Sequence, residues 1–304
     1  MINLERIGLK IGHTTDEKNG TGCSVFIFDK EAKASVFVSG LAPASRETEL
    51  LKPGKLLQFV NAIALTGGSA YGLEVASGVM SYLESKGVGY DTKAAVVPIV
   101  PCAAIYDLKY KNSSLRPDKS WGYEAAKNAD YTMRTGMVGA ATGATVGKIL
   151  GMEHACKTGF GYAYLKFDLG FVAAFAVVNA LGEIIDDNNK IVAGVKDKNS
   201  FLPSYDLIAK KDMKNFKPAE NTTLVVVVTD YPLGKDMLQK MAQAGNNGIV
   251  RSIRPSNTPF DGDIVFAVSV SGKEPKHNPY EILKLFVMTE IVTKRAILKS
   301  ATVT

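Results

Sequence analysis

Histidine and cysteine are scarce: the 304 residues contain three of each, His13, His154 and His277, and Cys23, Cys102 and Cys156. The histidines are widely separated, and no Cys/His/Asp spacing matches a metal site, so neither metal nor cofactor chemistry is indicated. An odd cysteine count without paired spacing excludes a disulfide framework and fits small buried hydrophobes in a reducing, cytoplasmic compartment. Arginine is sparse as well, seven of 36 basic residues, and the lysines are scattered rather than striped. The net charge of +6 therefore describes a solvated surface, not a nucleic-acid partner. Long apolar runs are missing: Phe171 to Leu181 is among the longest and falls short of the ~20 residues that span a bilayer. Met1 to Arg6 carries charge early and has no signal-peptide core. No Gly-x-Ser-x-Gly elbow exists, and Thr66-Gly67-Gly68-Ser69 lacks the Lys-Ser/Thr ending of a P-loop. A hydrolase built on this chain has a base that is neither a metal nor an obvious histidine.

What is present is a normal apolar share, 46%, with 22% charged residues, enough for a large core. Gly22–Phe28 and Ala34–Ser39, separated by Asp29-Lys30-Glu31-Ala32-Lys33, read as strand, turn, strand. Asn61–Leu65 reads as a strand entering the Thr66–Ser69 turn. Ser69 is then the N-cap of a helix that buries Leu73, Ala76, Val79, Met80 and Leu83 and stops at Lys86-Gly87. Asp107 to Lys119 reads as a surface loop and Ser120–Ala129 as a short helix. Strands are expected over 159–165, 171–179, 223–229 and 264–269, and helices over 235–244 and 279–299. Asp186 to Ala219 is the most linker-like stretch. Helices and strands do not alternate strictly, which points to α+β layers rather than a doubly wound sheet, and there is no internal repeat.

One kind of base remains available: a chain N-terminus, whose α-amine has an unperturbed pKa of about 7.7–8.0. A Thr or Ser that is itself the first residue carries nucleophile and base together, once a longer precursor is cut immediately before it. The expected context is a polar linker, then a small residue or Asn, then Thr or Ser opening a buried strand. Lys214–Asn221 followed by Thr222-Thr223-Leu224-Val225-Val226 has that form. On spacing alone it is equally an ordinary strand start, or a glycosylation sequon idle in a cytosolic chain.

The chain resembles the DmpA-type self-processing aminopeptidases, the L-aminopeptidase/D-esterase and β-aminopeptidase relatives that share a fold with ornithine acetyltransferases. The resemblance runs from about Ile7 to Gly272. It rests on Gly12–Asp16, Thr21-Gly22-Cys23, Pro43–Thr48, Leu65–Leu73, Val97–Pro101, the Gly136–Gly147 run with Lys148, Val178–Gly182, Asn221-Thr222-Thr223 and Arg254-Pro255 to Asp263. It implies an α+β, four-layer α/β/β/α sandwich formed as one domain, 1–304, cut between Asn221 and Thr222 into 1–221 and 222–304. Thr222 would be the nucleophile, Asn179 an oxyanion donor, and Asp261 and Asp263 the acids that orient the nucleophile and its amine. The glycine-rich run, with Gly139, Thr142 and Gly143, would line the substrate pocket. Relatives carry an acid before this run and a tyrosine within or after it. Here Arg134-Thr135 and Gly147-Lys148 stand in those places, which makes Lys148 the candidate for the second oxyanion donor.

The implied activity is cofactor-free release of N-terminal amino acids from small peptides, amides or esters by a closed homo-oligomer. Two alternatives stay open at this stage: an acyltransferase using the same threonine with an amine acceptor, and an uncleaved binding or assembly protein.

Overall fold

A computed structural model describes residues 2–168, 170–210, 221–275 and 278–301. His277 and the part of the linker-like stretch from 211 to 219 lie outside these residues.

Nine strands form the large sheet: β1 (Leu9–Asp16), β2 (Thr21–Val38), β3 (Ala44–Arg46), β4 (Phe59–Thr66), β5 (Cys102–Ala104), β6 (Phe160–Phe167), β7 (Gly170–Asn179), β8 (Thr222–Thr229) and β9 (Ile264–Ser269). The order is β6-β7-β8-β9-β2-β4-β5-β3, with β1 also on β2. The sheet folds back on itself at β2. Its first half pairs with β1 and β4, its last six residues with β9, and register breaks between Ile27 and Ala32. The expected strand–turn–strand is thus a single bent strand whose charged middle, Asp29 to Glu31, is the exposed corner where the chain passes between layers. A charged run within apolar alternation signals exposure, and an exposed bulge satisfies it as well as a hairpin turn does.

The two layers face each other across a core of Ile11, Phe26, Ile63 and Leu65 from one side and Phe160, Phe175, Leu224, Val226 and Phe266 from the other. Helices cover both outer faces. α1 (Val75–Ser85) and α2 (Lys119–Lys127) pack on Val25, Ala62, Ala64 and Cys102. α3 (Lys235–Val250) and α4 (Pro279–Ser300) pack on Val172, Ala174, Val225, Val227 and Val265. Alternate residues of β8 enter different cores, Leu224, Val226 and Val228 inward and Val225 and Val227 toward the helices. All are fully buried, each side chain contributing on the order of 1.5–3 kcal/mol, as a β-branched run predicts. The result is the expected four-layer α/β/β/α sandwich.

Close layer spacing depends on two glycines, one per outer face. A Cβ on Gly12 of β1 would collide with the carbonyl of Ala125 in α2, and one on Gly161 of β6 with that of Ala296 in α4. Ser69 is not an N-cap: it has φ 57° and begins a 3-10 turn, Ser69–Glu74, that leads into α1, after Gly68 at φ 80°. α2 starts one residue earlier than expected, capped by Asp118, whose carboxylate accepts the Ser120 and Trp121 amides. α3 runs six residues past Ala244 because Gly245 and Gly248 face Val265 and Thr293, where small residues admit the neighbours. Part of the linker-like stretch is structured: short strands Ile191–Ala193, Val195–Asp197 and Ser200–Leu202 precede a helical turn, Ser204–Lys210.

Candidate active site

Sheet topology gathers the candidate residues at one end of three adjacent strands. β7 is antiparallel to β8, so its last residue, Asn179, stands directly opposite Thr222, the first of β8. β9 is parallel to β8 with Ile264 opposite Leu224. The residues entering β9, Asp261 to Asp263, therefore lie beside Asn221 to Thr223, and Asn221 and Asp261 form a parallel bridge. Three segments, at residues 179, 221–223 and 261–263, meet at one strand opening.

The hydrogen bonds there are short and directed. Thr222 donates its hydroxyl to the carbonyl of Asn221 at 2.6 Å. The Gly262 amide donates to that same oxygen at 2.7 Å. Asp263 accepts the Thr223 amide on Oδ1 at 2.5 Å and the Asn257 amide on Oδ2 at 3.4 Å. Asp261 accepts the Thr258 amide on Oδ2 at 2.6 Å, while its Oδ1 is buried with no hydrogen-bond partner among the described residues.

On the other side of Thr222, Asn179 is held at every polar atom. Lys148 donates to its carbonyl oxygen and to its Oδ1, both at 2.9 Å. The Thr145 amide also reaches Oδ1, at 3.2 Å, and Nδ2 donates to the Tyr106 carbonyl at 2.9 Å. One Nδ2 hydrogen is left over, since a primary amide carries two.

The charges are strongly perturbed, as is usual where acid–base chemistry occurs. Burial, and then the neighbouring Asp261, push the Asp263 carboxyl up to about 7. Burial raises Asp261 too, against the Thr258 amide and the charge of Lys148, which favour its ionised form. The Lys148 ammonium is pulled down to about 7 by burial, opposed by Asp261 and Asp107. Asp263 and Lys148 thus change charge close to neutrality, with Asp261 raised beside them, around one hydroxyl.

The match to Peptidase family S58 covers residues 7–303. The chain belongs to peptidase family S58. An uncharacterized aminopeptidase of Mycobacterium leprae is 35% identical over 288 residues, covering 88% of this chain and 78% of the relative. A 6-aminohexanoate-oligomer endohydrolase of Paenarthrobacter ureafaciens is 29% identical over 275 residues, 88% of this chain and 75% of the relative. Among solved structures, the L-aminopeptidase D-Ala-esterase/amidase of Ochrobactrum anthropi superposes with TM-score 0.74 at 15% identity, over 96% of this chain and 83% of its own. It is described as a variant of the Ntn hydrolase fold. A Burkholderia β-aminopeptidase gives TM-score 0.70 at 18% identity, over 96% and 84%. As an S58 member the chain is a hydrolase of the peptidase and amidohydrolase kind.

Within this S58 chain the glycine-rich run divides in two. Its C-terminal half reaches the site through Thr145 and Lys148, and Gly143 packs on the buried Asp107. Gly139 and Thr142 lie deeper. Gly139 packs against Ser24 and His13, and the Thr142 hydroxyl donates back to the Gly139 carbonyl, so neither is brought against Thr222 by any contact. Lys157 pins the run, and Asp107, against which Gly143 packs, is fixed from outside it. Asp107 accepts the Gly68 amide and the Thr21 hydroxyl, each at 2.7 Å; Lys157 donates to the carbonyls of Ala141, at 2.7 Å, and Ala144, at 3.0 Å. The Asp107–Lys119 segment is therefore anchored at a buried carboxylate rather than lying wholly on the surface. Sequence reading missed Tyr106 as a site group because it acts through its backbone carbonyl, which no side-chain pattern marks. Thr145 and Gly262 fall inside the glycine-rich run and the Asp261-Gly262-Asp263 element without being singled out there. Among the described residues no His, Cys, Asp and Glu grouping could hold a metal, and no helix is long and apolar enough to cross a membrane.

Proposed function

We propose that this S58 hydrolase acts through Thr222 as an N-terminal nucleophile, after the Asn221–Thr222 bond is cut by the protein itself into 1–221 and 222–304. Its substrates are small peptides, amides or esters from which it releases an N-terminal amino acid. The observation that carries the reading is the placement of Thr222 at a strand opening, between the carboxamide of Asn179 and the buried carboxyls of Asp261 and Asp263.

In the cleaved enzyme the Thr222 hydroxyl attacks the scissile carbonyl and its proton passes to the α-amine, which is ordinarily half-protonated near pH 8. The remaining Nδ2 hydrogen of Asn179 meets the oxyanion. Lys148 fixes Asn179 by its two bonds and, when charged, adds a second source of positive potential in a dry site. The amine then protonates the leaving group, water enters, and the acyl-threonine is hydrolysed. Asp261 and Asp263 hold the new ammonium: the unpartnered Oδ1 of Asp261 is a carboxylate oxygen that a cation would satisfy.

The three cysteines, all free and buried, support a reducing, cytoplasmic setting. Tyr280, Leu283, Val287 and Ile291 form an exposed apolar stripe along the outer side of α4, which supports a homo-oligomer that buries it. The decisive experiment is N-terminal sequencing of purified active protein beside a Thr222→Ala variant. The wild type is expected to yield a second chain starting Thr222-Thr223-Leu224, and the variant a single folded, inactive chain. Activity in the variant, or wild-type activity without the new terminus, ends the proposal.

A further inference from the structure

The uncut strand opening holds a feature that turnover does not use. The carbonyl of Asn221 accepts two hydrogen bonds, from the Gly262 amide at 2.7 Å and from the Thr222 hydroxyl at 2.6 Å. A backbone amide is a fixed donor: its direction is set by the strand entry, and no rotamer change is needed to aim it. Here it is aimed because β8 and β9 are parallel, which brings Asp261 level with Asn221, so that the amide of the next residue, Gly262, reaches the Asn221 carbonyl. The aim is reinforced on both sides of the amide. The Asp261 carbonyl accepts the Ala42 amide at 3.0 Å and the Asp263 carbonyl accepts the Ser39 amide at 3.0 Å, so the Asp261-Gly262-Asp263 turn is tied to the Ser39–Ala42 segment.

Glycine is required at the centre of this turn. A Cβ on residue 262 would stand 2.9 Å from the Thr222 hydroxyl oxygen and 2.7 Å from the Ala42 carbonyl, closer than side chains approach. The absence of a side chain lets the amide and the hydroxyl share one oxygen. Asn179, by contrast, makes its bonds to Lys148, Thr145 and Tyr106 across β7, and none to the Asn221 carbonyl.

We infer that the Gly262 N–H is the oxyanion donor for self-cleavage, a site separate from the Asn179 side that serves substrate. This inference rests on the self-cleaving reading above and deepens it. In the step it supports, the Thr222 Oγ–Asn221 C bond forms and the Asn221–Thr222 C–N bond breaks. The hydroxyl proton ends on the departing nitrogen, so the change is an N-to-O acyl shift with no net gain or loss. Water then adds to the ester carbonyl, leaving the Asn221 carboxylate and restoring the hydroxyl; water is the sole co-reactant. As the tetrahedral intermediate forms, charge gathers on the Asn221 oxygen, to which the Gly262 N–H already points.

The test removes the hydrogen and keeps the space. Gly262→Ala is unsuitable, because its methyl would displace the hydroxyl as well. Incorporating glycolic acid at position 262 of the full chain turns the Asp261–Gly262 amide into an ester and preserves the space. Self-cleavage of newly folded chain, followed on denaturing gels, is expected to slow by about 10²–10³-fold, the usual loss for one oxyanion donor. To separate this from misfolding, the same ester is placed in the Thr222→Ala chain with a ¹³C-labelled Asn221 carbonyl. Its infrared stretch should move to higher frequency while the melting curve stays cooperative. A cleavage rate within twofold of the parent, or an unmoved carbonyl stretch, overturns the inference. Failure of the parent chain to cleave at all would instead overturn the self-processing reading on which it stands.

Discussion

Replacing Asp263 by Asn in an uncut Thr222→Ala chain should reverse which of the two chains is the more stable between mildly acidic and neutral solution. Asp263 titrates at 3.8 when unfolded, and burial with Asp261 beside it lifts the folded value to about 7. Because the folded value is the higher one, between these limits the folded chain binds a proton that the unfolded chain does not. Stability must then fall as pH rises from about 4 to about 7, the reverse of the ordinary salt-bridged carboxylate. At 1.36 kcal/mol per pH unit of difference, the loss across the window is on the order of 4 kcal/mol. The Asn variant escapes that loss but has one acceptor oxygen for two amides, Thr223 and Asn257, and leaves one of them facing an NH₂ group. That mismatch costs about 1–3 kcal/mol at every pH. The variant should therefore be the less stable chain at pH 4.5 and the more stable at pH 7. Urea unfolding at half-unit pH steps measures both. Lys148, pulled down to about 7 from 10.5, contributes its slope only above this range, where stability should rise with pH. Parallel curves for the two chains between pH 4.5 and 7 would refute the reasoning.

Two further outcomes are expected. Asn179→Ala should lower kcat about 10²–10³-fold by removing an oxyanion donor, with little change in the melting temperature; a loss below threefold would exclude Asn179 from the reaction. Light scattering of the wild type should give a multiple of the 32.6 kDa chain, and Leu283→Lys with Val287→Lys should reduce it; a monomeric wild type would leave the α4 stripe without its role.

Much of the architecture was legible because its signals are local. The burial of β8 on both faces follows from Leu224 to Val228 all being apolar, and the Lys86-Gly87 stop marks the real end of α1, although Ser69 does not cap its start. The bend in β2 was not legible, since Asp29 to Glu31 exposes charge equally well at a corner or in a hairpin. At the site, Thr222, Asn179 and Asp261–Asp263 are visible as residue types, yet their convergence depends on β7, β8 and β9 being neighbours, a non-local pairing that no window of sequence contains. Lys148 could be singled out only as an unexpected residue. Its grip on Asn179, and the Tyr106 carbonyl that completes it from seventy-odd residues upstream, belong to the fold.

The position of β8 and β9 has a consequence for the proposed cut. Both strands come from the segment after residue 221, yet they are flanked by β7 on one side and β2 on the other, both from the segment before it. A severed backbone at the strand opening would free one amine and one carboxylate and almost nothing else. The shorter piece would stay laced into the middle of the sheet, leaving only by unzipping two ladders at once. Hydrolysis of that bond would behave as a one-way chemical latch rather than a separation of parts.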